Sequence, residues 1–399
     1  MAWTSTDPET QALLGADVTS ITGSSGQGMY SGNDFTVLGD SITSVNASTA
    51  NENPGHSWHT VLAAVSNGRL RWRKGGASGG FTAQDIRDTH LPEVLSLNPA
   101  PAACIVFAGT NNVGSGSYDL DVDIPALVEI YDGLESAGIR PIAVLITPRN
   151  TATDFVPEWN RRVLQIAQDR NYDVLDFFSV LVDPSDGSMQ SEFALDGSHP
   201  NNLGHTQLGE YAWSVLSPRF PSPSVLLTGY ATDAGDLLGG GGFFLADSNA
   251  DGRANGWNGS GSPSIVTDGN LNWQRMTHVI GVPNVALLQR INIASGFVAG
   301  DTLELSMRMR IVGRDPGESL ASGMNLEVRD AVSGGSTLAR FGASVELPDG
   351  EYVLAAKGTL PAGSLGLRVN IQSESPSLSD YYIEYAQVGI RNLTAIGAE

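Results

Sequence analysis

Ser41 stands in the run Val37-Leu38-Gly39-Asp40-Ser41-Ile42-Thr43, directly after an apolar stretch. If Phe35 to Leu38 is a strand of a parallel sheet, Ser41 lies at its carboxyl edge, where such sheets present residues to ligands. A serine hydroxyl is a weak nucleophile until a neutral imidazole takes its proton, and that imidazole needs an acceptor for its other nitrogen. Both parts occur much later in the chain, in Asp196-Gly197-Ser198-His199-Pro200-Asn201. An Asp three residues before a His in a loop can supply the acceptor. The competing reading is an Asx turn, with Asn201 or Asn202 capping a helix over Leu203 to Leu216. It accounts for the asparagines and leaves His199 unexplained, while His205 reads as a packing or surface residue. Gly109-Thr110-Asn111-Asn112 follows the apolar run Cys104 to Phe107, so the Asn111 amide can donate to an oxyanion. The loop Gly75-Gly76-Ala77-Ser78-Gly79-Gly80 lets backbone N–H groups approach a substrate closely.

In this order the four segments resemble the blocks of the SGNH hydrolases, also called GDSL esterases and lipases. Gly39-Asp40-Ser41 matches the first block, Gly79 the second, Gly109-Thr110-Asn111 the third and Asp196-Gly197-Ser198-His199 the fifth. The likeness covers about residues 34 to 216. It implies Ser41 as nucleophile, His199 as general base and then acid, Asp196 as the group orienting His199, and an oxyanion hole made by the N–H groups of Ser41 and Gly79 with the Asn111 amide. Gly76 competes with Gly79 for the second-block position. The chain departs from the usual pattern at Ile42 and Thr43, where many members carry Leu, and at Asn112, where many carry Asp. The resemblance further implies a flavodoxin-like three-layer α/β/α fold and hydrolysis of carboxylic esters with no cofactor required for catalysis.

The elements that must position these residues are legible as patterns. Unbroken apolar runs at Phe35 to Leu38, Cys104 to Phe107, Ile142 to Ile146 and Val174 to Phe177 predict buried parallel strands. Leu127, Ile130, Tyr131 and Leu134, and then Trp159, Val163, Ile166 and Ala167, recur at helical spacing and predict amphipathic helices over that sheet. The polar, small residues 1–33 read as a flexible Gly/Ser-rich lead. The proline-rich stretch 217–224 reads as a linker closing an α/β domain over 34–216. From 225 to 399 the period becomes 2. Leu303, Leu305, Met307, Met309 and Ile311 alternate with Glu304, Ser306, Arg308 and Arg310, which predicts half-buried strands of an antiparallel, jelly-roll-like β-sandwich. Attached to an esterase, such a module resembles carbohydrate-binding modules, with Trp257 and Trp273 as residues able to stack on sugar rings.

Asp247, Asn249 and Asp251 place oxygen ligands at alternate positions, the spacing of a calcium loop, against the alternative of a polar turn. Asn258 stands where an EF-hand needs Glu, so a calcium ion here would be structural.

Lys and Arg number 22 against 43 Asp and Glu, a net charge of −21 that disfavours nucleic acid and anionic membrane surfaces. With Arg69 the first Lys or Arg and no long apolar run, the sequence predicts neither a secretory signal nor a membrane helix. The expected substrate is an acylated glycan or a small ester, and the expected location extracellular or virion-associated, with the cytoplasm left open. A phage-tail or cell-surface adhesion protein using the fold for receptor binding is the competing class, and an acyltransferase would use the same three residues.

Overall fold

The computed structural model describes residues 28–44, 57–114, 118–151, 155–222, 236–239, 241–261, 263–279, 285–293, 295–313, 324–330, 337–343, 347, 349–362, 364, 366–374 and 380–398. Residues 1–27 of the expected lead and 223–224 of the expected linker lie outside these. The chain divides into two compact units. The first holds the described residues up to Pro221 except 63–74, and the second holds 63–74 together with those from Ser222 onward.

In the first unit, β1 (Asp34–Gly39), β3 (Gly76–Ala77), β4 (Ala103–Val106), β5 (Arg140–Leu145) and β6 (Asp173–Asp176) form a parallel sheet ordered β3-β1-β4-β5-β6, while β2 (Arg71–Trp72) belongs to the second unit. By chain order within the unit this is 2-1-3-4-5, the flavodoxin-like arrangement, whose strand order reverses between β1 and β4. β1, β4 and β6 are buried along their whole length because helices cover both faces of such a sheet. The helix Leu120–Ser136 buries Leu127, Ile130, Tyr131 and Leu134, and the helix Phe155–Asp169 buries Trp159, Val163 and Ala167. Each large apolar side chain of this kind contributes about 1.5–3 kcal/mol by leaving water.

Two backbone features shape the edge where the site sits. Gly109 has φ +124°, and a Cβ there would lie 2.1 Å from the Trp159 ring, so the turn after β4 accepts no side chain. The second feature is a π-helical turn, Ile86–His90, lying between helical residues 83–85 and 91–95. It buries His90 against Gly76, where a Cβ would come within 2.5 Å of the His90 Cβ.

The second unit contains two sheets. One is ordered β2-β14-β11-β16-β9-β8, with β8 (Pro263–Asp268), β9 (Leu271–His278), β11 (Thr302–Val312), β14 (Gly350–Thr359) and β16 (Tyr381–Asn392) antiparallel and β2 joining β14 in parallel. The other is antiparallel, ordered β13-β12-β15-β10-β7, from β7 (Asn258–Ser260), β10 (Val285–Ile293), β12 (Met324–Asp330), β13 (Thr337–Ala343) and β15 (Leu367–Glu374).

The alternation expected on β11 is only partly a division between core and solvent. Leu303, Leu305, Met307, Met309 and Ile311 are buried, but so are Glu304 and Ser306. For Glu304 the reason is the 63–74 segment: Arg71 pairs with Glu304, which Arg391 also approaches at 3.6 Å, and the Asn67 Oδ1 accepts from the Val353 N–H at 2.9 Å. Trp257 and Trp273 are buried as well. The Trp257 indole donates to the Gly241 carbonyl at 3.0 Å, and Arg310 covers Trp273 at 4.4 Å, so neither ring offers a face to a sugar.

In the loop considered for calcium, Asp247 accepts from the N–H groups of Asp251 and Gly252, and Asp251 pairs with Arg253 at 3.2 Å. Among the described residues no group of three or more His, Cys, Asp or Glu is placed to hold a metal. No helix among them is long and apolar enough to cross a membrane.

Candidate active site

β1 ends at Gly39 and the chain turns at Asp40 into a short helix, Ser41–Ser44, which sets Ser41 at the carboxyl edge beside the β1/β4 reversal. Its hydroxyl meets His199 across 158 positions of sequence, with Oγ and Nε2 2.8 Å apart. The His199 Nδ1 lies 2.9 Å from Asp196 Oδ2 and 3.1 Å from Oδ1. With the Nδ1 proton directed at that carboxylate, Nε2 carries the lone pair and accepts from the Ser41 hydroxyl.

Asp196 also accepts from the N–H groups of Ser198 (2.7 Å) and His199 (2.8 Å), so one carboxylate both shapes the loop and faces the ring. Burial pushes this carboxyl up, but those two N–H donors and the imidazole outweigh it and hold Asp196 below the usual carboxylate range. The Asx turn weighed from sequence is therefore present together with the histidine contact. Asn201 caps the helix Asn202–Leu216 by accepting from the Gly204 N–H at 2.9 Å. His205 is buried in that helix, near His59, whose own pKa burial and the His205 charge push down to about 3.

The two glycines considered from sequence sit differently. Gly76 is paired to Leu38 within β3 and packed on His90, whereas a Cβ on Gly79 would sit 4.0 Å from the Ser41 Cβ. Gly79 is thus the one beside the hydroxyl, and among the described residues neither its N–H nor that of Ser41 donates to a protein acceptor. The Asn111 Nδ2 donates to the Phe81 carbonyl at 2.9 Å, which ties the end of the β4 turn to the far side of the glycine loop. Asn112 is buried and committed: Oδ1 accepts from the Ala83 N–H and Nδ2 donates to Gln84, both at 2.9 Å. An Asp here could make the first bond and not the second.

The parts that Ser78, His90, Asp40 and Arg149 play at this edge escaped the sequence reading. Ser78 Oγ lies 2.9 Å from His90 Nε2, and His90 Nδ1 lies 3.4 Å from Glu93, a second hydroxyl–imidazole–carboxylate series that pins the turn carrying Gly79. No sequence signal ties His90 to a loop twelve residues away. Asp40, next to Ser41 in the chain, is wholly buried, with Oδ1 accepting from the Ile42 N–H at 2.9 Å, Oδ2 without a hydrogen-bond partner and the Thr110 hydroxyl close to the carboxyl group. Burial pushes its pKa up to about 6, against the Ile42 N–H, the Thr110 hydroxyl and the charges of His199 and Arg149. Arg149, in the loop after β5, donates from Nη1 to the Thr110 carbonyl at 2.7 Å. Its position after an apolar parallel strand was the available signal.

Residues 37–207 match the family model described as GDSL-like Lipase/Acylhydrolase. They are a GDSL-like lipase/acylhydrolase domain. The protein is accordingly a carboxylic ester hydrolase. Solved structures similar to it include a putative lipolytic protein of the G-D-S-L family from Desulfitobacterium hafniense, 25% identical, spanning 46% of this chain and 99% of that one with a TM-score of 0.41. A second is the acetylxylan esterase Axe2 from Geobacillus stearothermophilus, 18% identical over 50% of this chain and 100% of that one, with a TM-score of 0.39. No curated protein matches the chain. Ser41, Gly79, Asn111, Asp196 and His199 all fall inside the GDSL-like domain, while Asp247, Asn249 and Asp251 fall outside it.

Proposed function

We propose that the GDSL-like domain hydrolyses its ester through Ser41, His199 and Asp196. The observation that carries this reading is the unbroken series from Ser41 Oγ to His199 Nε2 at 2.8 Å and from Nδ1 to Asp196 at 2.9 Å. Ser41 Oγ attacks the ester carbonyl as its proton passes to His199 Nε2, and the imidazolium is held by the ionised Asp196. The carbonyl oxygen becomes an oxyanion that accepts from the N–H groups of Ser41 and Gly79 and from the Asn111 amide. Collapse breaks the ester C–O bond, with the His199 proton going to the leaving alcohol. Water then attacks the acyl-Ser41 ester, giving a proton to His199, and as the acyl–Oγ bond breaks His199 returns that proton to Ser41 Oγ and the free acid leaves.

The acyl group in this reading is acetyl or another short chain, and the alcohol is a sugar hydroxyl of a glycan. The site's openness supports it: the His199 and Asp196 side chains remain 38% and 54% exposed, so an ester carried on a bulky polymer can reach them. The same openness gives water access to the acyl-enzyme, which favours hydrolysis over transfer to a second alcohol. The two sheets of the second unit form, in this proposal, a β-sandwich that holds the enzyme on its polymer, through surfaces other than the two buried tryptophans.

The test is covalent. A fluorophosphonate probe should label the wild-type chain on Ser41, and S41A should remain folded, unlabelled and inactive on 4-nitrophenyl acetate. Labelling that persists on another serine overturns the assignment. A release assay on acetylated and on deacetylated polysaccharide, read as acetate formed, tests the substrate class independently.

A further inference from the structure

Arg149 differs from many other arginines of the chain. Arg87, Arg170, Arg219, Arg275, Arg308 and Arg310 each lie against a carboxylate. Among the described residues Arg149 has one hydrogen-bond partner, the Thr110 carbonyl at 2.7 Å, and no carboxylate within ion-pair distance. Its Nε is buried without an acceptor. The guanidinium lies flat over Gly114, where a Cβ would come within 2.8 Å of Cζ, so the glycine makes room for it. In a chain with 43 acidic and 22 basic residues, leaving a half-buried guanidinium with no carboxylate in ion-pair contact costs stability that a direct pair would have offset.

Its placement accounts for that cost. Thr110 immediately precedes Asn111, so the bond to its carbonyl carries the guanidinium from the end of β5 toward the end of β4, the Ser41 side of the edge. The next residue, Asn150, donates its N–H to the Gly197 carbonyl at 2.9 Å and accepts from the Met189 N–H at 3.3 Å, which fixes the Arg149 loop to the loop bearing Asp196 and His199. The guanidinium is close enough for its charge to act on both Asp40 and Asp196. Of its five N–H donors one is used by Thr110, and the remaining Nη hydrogens have no protein acceptor. A planar cation with free donors, on a loop tied to the one bearing Asp196 and His199, is suited to a carboxylate carried by the substrate.

We infer that Arg149 is a specificity-determining residue that receives a carboxylate on the ester substrate, which makes the preferred substrate an acyl ester of an acidic compound, as on a uronate-bearing glycan. The inference rests on the reading of Ser41 as the nucleophile. Long-range attraction plays no part in it, since a net charge of −21 repels such a substrate, so selection comes from the local contact after encounter.

Three small esters decide the matter: neutral phenyl acetate, 3-acetoxybenzoate with the carboxylate on the alcohol side, and monophenyl succinate with it on the acyl side. The quantity read is the ratio of kcat/KM for each anionic ester to that for phenyl acetate, with thermal melting of every variant alongside. In R149Q the ratio for 3-acetoxybenzoate should fall about tenfold or more, the size of a lost charge-assisted hydrogen bond, and R149K should recover part of it, whereas a fall for monophenyl succinate alone refutes an acidic alcohol as the substrate. Equal proportional losses on all three esters, or unchanged ratios for both anionic ones, overturn the inference and leave Arg149 as a brace for the Thr110 turn. S41A measured on phenyl acetate separates the two readings: activity surviving there refutes the nucleophile, whatever the Arg149 ratios show.

Discussion

Replacing Asn111 with Ala removes two things at once, and the structure lets them be told apart. The amide nitrogen carries two hydrogens. One is used at 2.9 Å on the Phe81 carbonyl, which fixes the plane of the amide; in the proposed mechanism the other serves the oxyanion. Loss of an oxyanion donor costs about 10²- to 10³-fold in kcat, roughly 2.7–4 kcal/mol, because the donor is in place before charge forms and binds the ground-state carbonyl weakly. KM should therefore barely move. Separately, the Phe81 carbonyl loses a partner, at roughly 1–3 kcal/mol of folding stability. For a unit of this size that lowers Tm by about 2–12 °C, taking 2–4 °C per kcal/mol. Steady-state kinetics on 4-nitrophenyl acetate at a temperature well below the N111A transition, beside a melting curve, reads both effects. A lowered Tm with unchanged kcat would show that Asn111 only ties the β4 turn to the glycine loop, and would refute its place in the oxyanion hole.

Asp40→Asn should show a signed pH effect. The folded carboxyl is raised from 3.8 to about 6, so below pH ~4 both the folded and unfolded chains hold the proton. From about 4 to 6 the folded chain keeps a proton the unfolded one has released. The stability contribution of Asp40 thus falls as pH rises through that window, by about 3 kcal/mol, and is flat above it. The Tm difference, D40N minus wild type, should grow from pH 4 to 6 and then level; a difference constant with pH would mean the buried carboxyl does not change protonation there. Ser78→Ala should lower kcat about tenfold with KM nearly unchanged, because the Gly79 turn loses its His90 anchor; unchanged kcat in the folded variant removes Ser78 from the positioning of that turn. A chain ending at Pro221 should be less stable than the intact protein by about 3–6 kcal/mol from the exposure of Leu70 and Trp72, since the 63–74 segment finds its partners in the second unit. Equal Tm values for the α/β transition in both lengths would show that the segment needs none of them.

Much of the site was written in local sequence. An apolar run followed by Gly-Asp-Ser specifies a strand end and a turn, and an Asp three residues before His199 closes its own loop through the Ser198 and His199 N–H groups, which needs no distant residue. Strand and helix periodicities over 34–216 likewise depend on each segment burying one face or two, and β1, β4, β5 and β6 fall on the expected runs. Tertiary structure decided what periodicity cannot carry, namely which distant segments meet. The choice of Gly79 over Gly76 depends on β3 pairing with β1 in a register that leaves Gly79 beside Ser41. His90 reaches Ser78 because a π turn rotates it inward, and Arg149 reaches Thr110 because β5 neighbours β4. Glu304, patterned as a solvent residue, is buried because Arg71, more than two hundred positions earlier, is brought against it. A single residue's burial is set by what covers it, and covering is a property of the assembled chain.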